Sequence, residues 1–389
     1  MKVLTKFRLS MSKPVRIGII GGGQLGKMIA QEAKKMSFDI IILDPTKDCP
    51  ASSLADEQIV ADFADRDAIM RLAESSDVIT YEIELANAEA LRELEERGYK
   101  VAPSSYTLKI IQDKLLQREV LKANNLPVPE FEAVSSREDL IKALDKLGYP
   151  AVLKARRGSY DGRGNFVIKS REDIDSAVKF MNNKPSFLEE FVNFSKEVSI
   201  MVARNFNDQV ASFPLVENIH KDSILHLTIA PARVDNDIKE EARKVAEDTM
   251  RILKGAGIFG IEMFVDDKIL INEIAPRPHN SGHYTIEACD ISQFEMHLRA
   301  ILNLPLPKPR LLTPAAMINI LGDKNVNGEY AIEGIDDVFS IDGVTLHIYG
   351  KKSAKKGRKL GHITATDVSI EEAIRKAEYA RSLLRLISI

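Results

Sequence analysis

Two glutamates stand alone in apolar runs where carboxylates are out of place: Glu262 in Ile261-Glu262-Met263-Phe264 and Glu273 in Leu270-Ile271-Asn272-Glu273-Ile274. Asp266-Asp267 between the two runs makes an antiparallel hairpin turn. Counted outward, Glu262 lies four residues before Asp266 and Glu273 six after Asp267. A period of two then puts both on one face near one end of the hairpin. Carboxylates so placed repel unless a cation lies between them. Magnesium suits such a site, because it takes few carboxylates and completes its shell with phosphate oxygens. Asn272 adds an oxygen only with a local twist, since neighbours in a strand point to opposite faces. The alternative is a pair of solvent-facing charges on an edge hairpin.

A second group suits polyphosphate. Lys154 ends an apolar run and can act as a point charge on a phosphate. Residues 156–164 hold three arginines and three glycines in nine positions. A Gly-rich hairpin of that kind offers backbone N–H groups and can fold over an anion as a lid; the alternative is a solvated hairpin tip. Phe187-Leu188-Glu189-Glu190-Phe191-Val192, followed by Glu197, could present backbone groups to a purine edge and a carboxylate to ribose hydroxyls, although Glu-Glu is more often surface. Near the N-terminus, Gly21, Gly23 and Gly26 fit G-x-G-x-x-G between an apolar run and a helical pattern, with Asp44 closing the next apolar run. Alone, this is either a dinucleotide-type phosphate loop or a tight strand–helix turn.

These residues need scaffolding. Residues 15–20, 38–43 and 77–81 read as strands, with helical patterns over 24–36 and 87–97. That alternation predicts a parallel sheet with crossover helices, closed by Pro103. A helix with Asp113 near its start carries the chain onward. Beyond Leu126-Pro127-Val128-Pro129 the pattern changes to α+β: a helix over 136–147 with Ser136 as its N-cap, strands at 151–154, 164–168, 186–191 and 197–202, a helix over 237–254, and the strands 259–265 and 269–274. The proline-rich stretch 304–309 reads as a linker to a small strand-rich unit with a final helix from Ser369 to about Leu386. The expected division is a tail at 1–12, a Rossmann-like unit at 13–112, a central unit at 113–310 and a small unit at 311–389.

Bulk composition narrows the classes. Of 389 residues, 44% are hydrophobic and 29% charged, with a net charge of -3. The chain as a whole is therefore not built to bind nucleic acid. No apolar run reaches the roughly 20 residues of a membrane helix, and residues 1–12 lack the apolar stretch of a secretion signal. Cys49 and Cys289 stand far apart without metal-ligand spacing, which fits a reducing cytoplasm.

Longer motifs carry a resemblance. Gly22-Gly23-Gln24-Leu25-Gly26, Ser159-Tyr160-Asp161-Gly162-Arg163-Gly164, the run Asn-Glu-Ile-Ala-Pro-Arg-Pro-His-Asn-Ser-Gly-His at 272–283, Ile-Ser-Gln-Phe-Glu at 291–295 and Gly-Arg-Lys-Leu-Gly-His at 357–362 resemble ATP-grasp enzymes. Within them, the match is to the N5-carboxyaminoimidazole ribonucleotide synthases of purine biosynthesis, over nearly the whole chain. The resemblance implies a Rossmann-like unit, a central ATP-grasp domain and a small C-terminal domain. It implies ATP contacts at Lys109, Lys154, Ser159, Tyr160, Asp161, Gly162, Arg163, Gly164, Asn165, Glu189, Glu190, Phe191, Val192, Glu197, His220, Asn272 and Glu273. Asn165 stands where the family is expected to have glutamine. Glu262 and Glu273 match magnesium ligands. Arg277, His279 and Asn280, with Tyr160 and Asp161 from the lid, are the expected catalytic group, holding bicarbonate and carboxyphosphate.

The basic run Lys351-Lys352-Ser353-Ala354-Lys355-Lys356-Gly357-Arg358-Lys359 has six cations in nine residues. Such a run can mark nucleic-acid binding or a solvated loop. By analogy with the related glycinamide ribonucleotide transformylase, Lys351, Arg358 and Lys359 are expected near the ribonucleotide 5′-phosphate. Gln24, Leu25 and Glu82 complete that pocket, so the glycine loop would face the ribonucleotide and not NAD. The expected substrates are 5-aminoimidazole ribonucleotide, bicarbonate and ATP, in a cytoplasmic homodimer using magnesium, with no nucleic-acid or membrane partner. A fused mutase domain is not expected, since the chain ends at Ile389.

Overall fold

The computed structural model describes residues 12–158, 164–182 and 184–389. The N-terminal unit is the expected parallel sheet, of Glu57–Ile59, Asp39–Leu43, Arg16–Ile20 and Val78–Tyr81 in that spatial order. Its three longer strands are largely buried on both faces, which is why they read as continuous apolar runs, whereas the short edge strand Glu57–Ile59 is partly exposed. Ile17, Ile19, Ile40 and Ile42 pack with Leu25, Met28 and Ile29 of the helix Gln24–Lys35. Ile20, Ile41 and Leu43 point the other way, against the helices Arg66–Glu74 and Ala88–Glu96. The Asp113 region is two helices, Ser105–Gln112 and Lys114–Ala123, and Asp113 caps the second by accepting from the Leu116 N–H.

Two antiparallel sheets follow. The smaller runs Phe131–Val134, Ser186–Glu190, Ala151–Ala155, Asn165–Ile168. The helix Arg137–Leu147 starts at a capping box in which Ser136 and Asp139 satisfy each other's backbone N–H groups. The larger sheet has nine strands. It begins with Ile269–Ala275, Gly257–Val265, Lys196–Arg204, Val216–Lys221 and Ile224–Ala230, and continues into Ala315–Leu321, Lys359–Thr366 and Val344–Ile348 of the C-terminal region. Ile224–Ala230 pairs directly with Ala315–Leu321, so one sheet crosses the proline-rich stretch. The helix Asn236–Leu253 buries Ala242, Val245, Ala246, Thr249, Met250 and Leu253, a helical period facing that sheet's core.

The sequence reading needs two corrections. The last helix ends at Leu383, and Arg385–Ser388 is a strand paired with Tyr330–Glu333. From Leu384 the backbone is extended, and Leu386 packs onto the C-terminal core from a ladder position. The second concerns the glutamate hairpin. Its turn holds three residues, Asp266 to Lys268, and Val265 pairs with Ile269. That register alone would set Glu262 opposite Asn272. A bulge between Glu262 and Met263 shifts it, so that Glu262 faces Glu273. The same-face expectation holds, through an irregularity that counting from the turn does not contain.

Candidate active site

A cleft of about 1730 Å³ opens among all three units. Glu262 and Glu273 line it from directly opposed positions. The bulge brings Asn272 to the same cleft, supplying the local twist its position required. The Glu262 side chain is 18% exposed and that of Glu273 49%. Burial and the neighbouring Glu273 charge push the Glu262 carboxyl up to about 7. Burial also works against Glu273, but Lys114, at 3.4 Å, and the charges of Lys154 and Arg277 outweigh it and hold its carboxyl below the ordinary value. Two hard oxygen donors in mutual repulsion beside a phosphate-sized cleft fit a divalent cation. Among the described residues, no cluster of three or more His, Cys, Asp or Glu offers a cage built from protein ligands alone.

Lys154 reaches the cleft wall in an ion pair with Glu189. Arg118 takes the other oxygen of Glu189 through Nε at 2.6 Å and donates through Nη2 to the Asn272 carbonyl at 2.6 Å. Arg118 and Glu189 are almost fully buried. Burial, and then the Arg118 and Lys114 charges, lower the Lys154 pKa against the pull of Glu189. Glu189 is thus a clamp on the lysine and on the bulged strand. Sequence reading missed Arg118, yet a signal was present: it sits in the apolar stripe Leu115–Arg118–Leu121, where a charge needs a buried partner.

Glu190, Phe191, Val192, Glu197, His220 and Asn165 also line the cleft. His220 Nδ1 lies 2.6 Å from Glu197. Burial opposes its charging, but the Glu197 hydrogen bond and the Glu262 and Glu197 charges raise its pKa overall. Glu190 turns its carboxylate to the Glu130 N–H at 2.9 Å. Lys109 is not among the residues that line the cleft: its side chain is 61% exposed and lies 3.9 Å from Glu89. Ser105–Gln112 turns it outward, and the next helix brings Lys114 to the cleft instead. Ser159, Tyr160, Asp161, Gly162 and Arg163 lie outside the described residues. Gly164 accepts from the Ala155 N–H at 2.8 Å. Arg156 is anchored to Asp113 through Nε at 2.9 Å and Nη2 at 2.6 Å.

The segment after Glu273 connects the two ends of the cleft. Arg277 pairs with Glu84 of the N-terminal unit at 2.8 Å, and His279 Nε2 lies 3.7 Å from Glu262. The Arg277 Nε–H is buried with no partner among the described residues. Asn280 and Asn319 exchange two amide hydrogen bonds, at 3.0 and 2.6 Å, leaving Asn280 one N–H for the cleft. Burial, followed by the Arg277 and Lys359 charges, keeps His279 neutral, with its pKa well below the ordinary value.

The far end holds Gln24, Leu25, Glu82, Lys351, Arg358 and Lys359. Here the glycine loop departs from a dinucleotide site. The Gly22 N–H donates to Asp44 at 2.8 Å and the Gly23 N–H to Glu82 at 2.6 Å. A side chain on Gly23 would meet Glu82 Oε1 at 2.7 Å. Carboxylates therefore occupy the donors a pyrophosphate needs. Burial pushes the Glu82 carboxyl up to about 7, against the Gly23 hydrogen bond and the Arg277 charge. Lys27 donates to the Ile348 and Tyr349 carbonyls at 3.2 and 3.3 Å, tying the first helix to the strand end that leads into the basic run. Arg358 folds back on Ser353, reaching its carbonyl at 3.0 Å and its hydroxyl at 2.7 Å.

Two antiparallel sheets around a carboxylate-and-lysine cleft, with a parallel unit in front, define an ATP-grasp ligase. Family profiles match a ribonucleotide synthetase preATP-grasp domain at 14–112, an ATP-grasp domain at 119–294 and a phosphoribosylaminoimidazole carboxylase C-terminal domain at 315–376. The chain belongs to the N5-carboxyaminoimidazole ribonucleotide synthase family. The Bacillus subtilis enzyme of that name is 43% identical over 350 residues, covering 90% of each chain. The crystal structure of the Thermotoga maritima synthetase is 48% identical, with a TM-score of 0.88 over 96% of this chain and 100% of that one. The Aspergillus clavatus synthase, solved with ADP and 5-aminoimidazole ribonucleotide, is 35% identical with a TM-score of 0.87, covering 96% and 99%. The chain also spans 66% and 67% of the length of two fungal relatives named phosphoribosylaminoimidazole carboxylase.

Proposed function

We propose that this cleft carboxylates 5-aminoimidazole ribonucleotide with bicarbonate and ATP, through carboxyphosphate, to N5-carboxyaminoimidazole ribonucleotide, ADP and phosphate. The observation that carries the reading is the bridging segment: Arg277 touches Glu84 on the ribonucleotide side while His279 stands beside Glu262 on the nucleotide side. A bicarbonate held there meets both reacting partners. Its oxygen attacks the γ-phosphorus as the bond to ADP breaks. Carboxyphosphate then gives up its carboxyl carbon to the exocyclic amine of the ribonucleotide, and the proton that amine loses leaves with phosphate.

Phosphoryl transfer asks for positioning and charge neutralisation more than covalent chemistry. Lys154 neutralises phosphate charge, and Glu189 with Arg118 fixes where it stands. Phe191 and Val192 take the adenine, Glu197 with His220 the ribose. Glu262 and Glu273, with the Asn272 oxygen close by, would hold magnesium, which supplies neutralisation of the triphosphate oxygens when bound. Arg277, His279 and Asn280 orient bicarbonate through N–H donors. Lys351, Arg358 and Lys359 take the ribonucleotide phosphate, with Gln24, Leu25 and Glu82 around the base and sugar. Tyr160 and Asp161 belong to the lid that keeps carboxyphosphate from water. Family kinship supports a cytoplasmic homodimer, checked by light scattering at twice the chain mass. No helix of the described residues is long and apolar enough to cross a membrane.

The test is a product assay. ADP should form with aminoimidazole ribonucleotide and bicarbonate, accompanied by the trapped acid-labile carbamate. Stimulation by glycinamide ribonucleotide and formate instead would reassign the substrate within the ATP-grasp ligases.

A further inference from the structure

Behind His279 runs a line of buried polar side chains, of which Asn218 also borders the cleft. Thr228 Oγ1 donates to Asn218 Oδ1 at 3.0 Å, and Asn218 Nδ2 donates to Ser199 Oγ at 2.8 Å. Ser199 Oγ donates to Ser281 Oγ at 2.7 Å, and Ser281 Oγ lies 2.9 Å from His279 Nδ1. Thr228, Ser199 and Ser281 are 0% exposed and Asn218 4%. Three neighbouring strands supply Ser199, Asn218 and Thr228, so the line is held by sheet geometry.

Its direction follows from donor counting. The Asn218 amide nitrogen can only donate, so Ser199 accepts there and spends its own proton on Ser281. Ser281, already an acceptor, turns its proton to His279 Nδ1. The Ser281 backbone N–H also points at Nδ1, at 3.3 Å. A peptide N–H cannot reverse its role, so it anchors the assignment independently. Two donors on one ring nitrogen require that nitrogen to be bare.

Resting on the function proposed above, we propose that Ser281, Ser199 and Asn218 are positioning residues that hold His279 in its Nε2–H tautomer, so that the ring presents a hydrogen-bond donor to bicarbonate beside Arg277. The opposite tautomer would turn a lone pair toward an anion. His279 then serves as a fixed donor and does not act as a general base. Gln293 holds the same residue by its backbone, accepting from the His279 N–H at 2.9 Å and donating to its carbonyl at 2.8 Å. Only the ring proton is left for the serine line to decide.

Nitrogen-15 NMR of the full chain labelled at histidine tests the tautomer without a variant, the His279 signal being found by its loss in His279→Gln. The expected spectrum has His279 Nδ1 in the unprotonated range and Nε2 in the protonated range; a proton on Nδ1 overturns the proposal. For Ser281→Ala, kcat/KM for bicarbonate should fall about tenfold, the worth of one neutral hydrogen bond, while KM for ATP stays within about twofold. Ser199→Ala, more remote, should give a smaller loss of the same kind. An equal rise of both KM values, or no change in the bicarbonate parameter, overturns it. If wild-type protein forms no ADP with bicarbonate and the aminoimidazole nucleotide, the functional reading fails, while the tautomer is still read directly from the spectrum.

Discussion

At the scale of single residues, the cleft sets charges against each other and leaves some groups for ligands to satisfy. Glu273 is the sharper case: its carboxylate stays ionised beside Lys114, Lys154 and Arg277 while Glu262 is pushed up. Glu273→Gln keeps the size and removes the anion. It should lower kcat by at least ~100-fold with the melting temperature within a few degrees of wild type; undiminished turnover would refute the metal assignment. Glu82 gives a pH signature. Its folded-state carboxyl titrates at about 7 against an ordinary 4.5. Between those values the folded chain binds more protons than the unfolded one, so this group's contribution to stability falls as pH rises, by up to about 3 kcal/mol. Glu82→Gln removes that slope. Paired urea melts should show the variant gaining on wild type from pH 5 to pH 8, and a pH-independent difference would contradict the shift.

Among elements, the Glu262 hairpin and the helix Lys114–Ala123 depend on each other. Arg118 of that helix binds Glu189 and the Asn272 carbonyl together. It therefore supports both Lys154, through Glu189, and the bulge that turns Glu273 into the cleft. Arg118→Met leaves Glu189 with one partner in a buried place. The expected cost is about 3 kcal/mol in chemical denaturation, with a loss of ATP affinity seen by calorimetry. Unchanged stability would mean that Lys154 alone satisfies Glu189. The bulge itself was illegible in the sequence. Alternation predicted two strands and their common face correctly, but the extra residue is decided by whether Asn272 and Glu273 gain more from the cleft than the regular ladder loses.

For the molecule as a whole, the nine-stranded sheet makes the central and C-terminal regions one folding problem. Ile224–Ala230 has Ala315–Leu321 as its neighbour, and Leu227 and Ile229 share a core with Ile318, Leu360, Ile363 and Ala377. A chain stopped before Ala315 would bare that strand edge and leave Leu227 and Ile229 without the core they pack into. It should be recovered as aggregate, even though the matched ATP-grasp segment is intact; a soluble, cooperatively melting product would show the regions to be separable. The same continuity carries the basic run from Lys351 to Lys359 to the cleft beside the N-terminal unit, where Lys27 holds the Ile348 and Tyr349 carbonyls just before it. The end of the cleft lined by Gln24, Glu82, Lys351 and Arg358 is therefore built from distant parts of the chain that only the assembled molecule brings together.

The sequence by itself determined the local chemistry: the parallel unit from its continuous apolar runs, the lone glutamates from their apolar neighbours, the anchored segment from Arg277 to Asn280 from its motif. These are properties of residue type and short spacing, and short spacing survives folding. Tertiary structure alone decided what depends on contacts between distant positions. It set the pairing of Glu262 with Glu273 through a bulge. It turned Lys109 outward and Lys114 inward on successive helices. It placed Arg118 against Glu189, and carboxylates on the glycine loop's N–H groups. Each of these is fixed by which partner lies across the cleft or the core, and a linear pattern carries no distance to that partner.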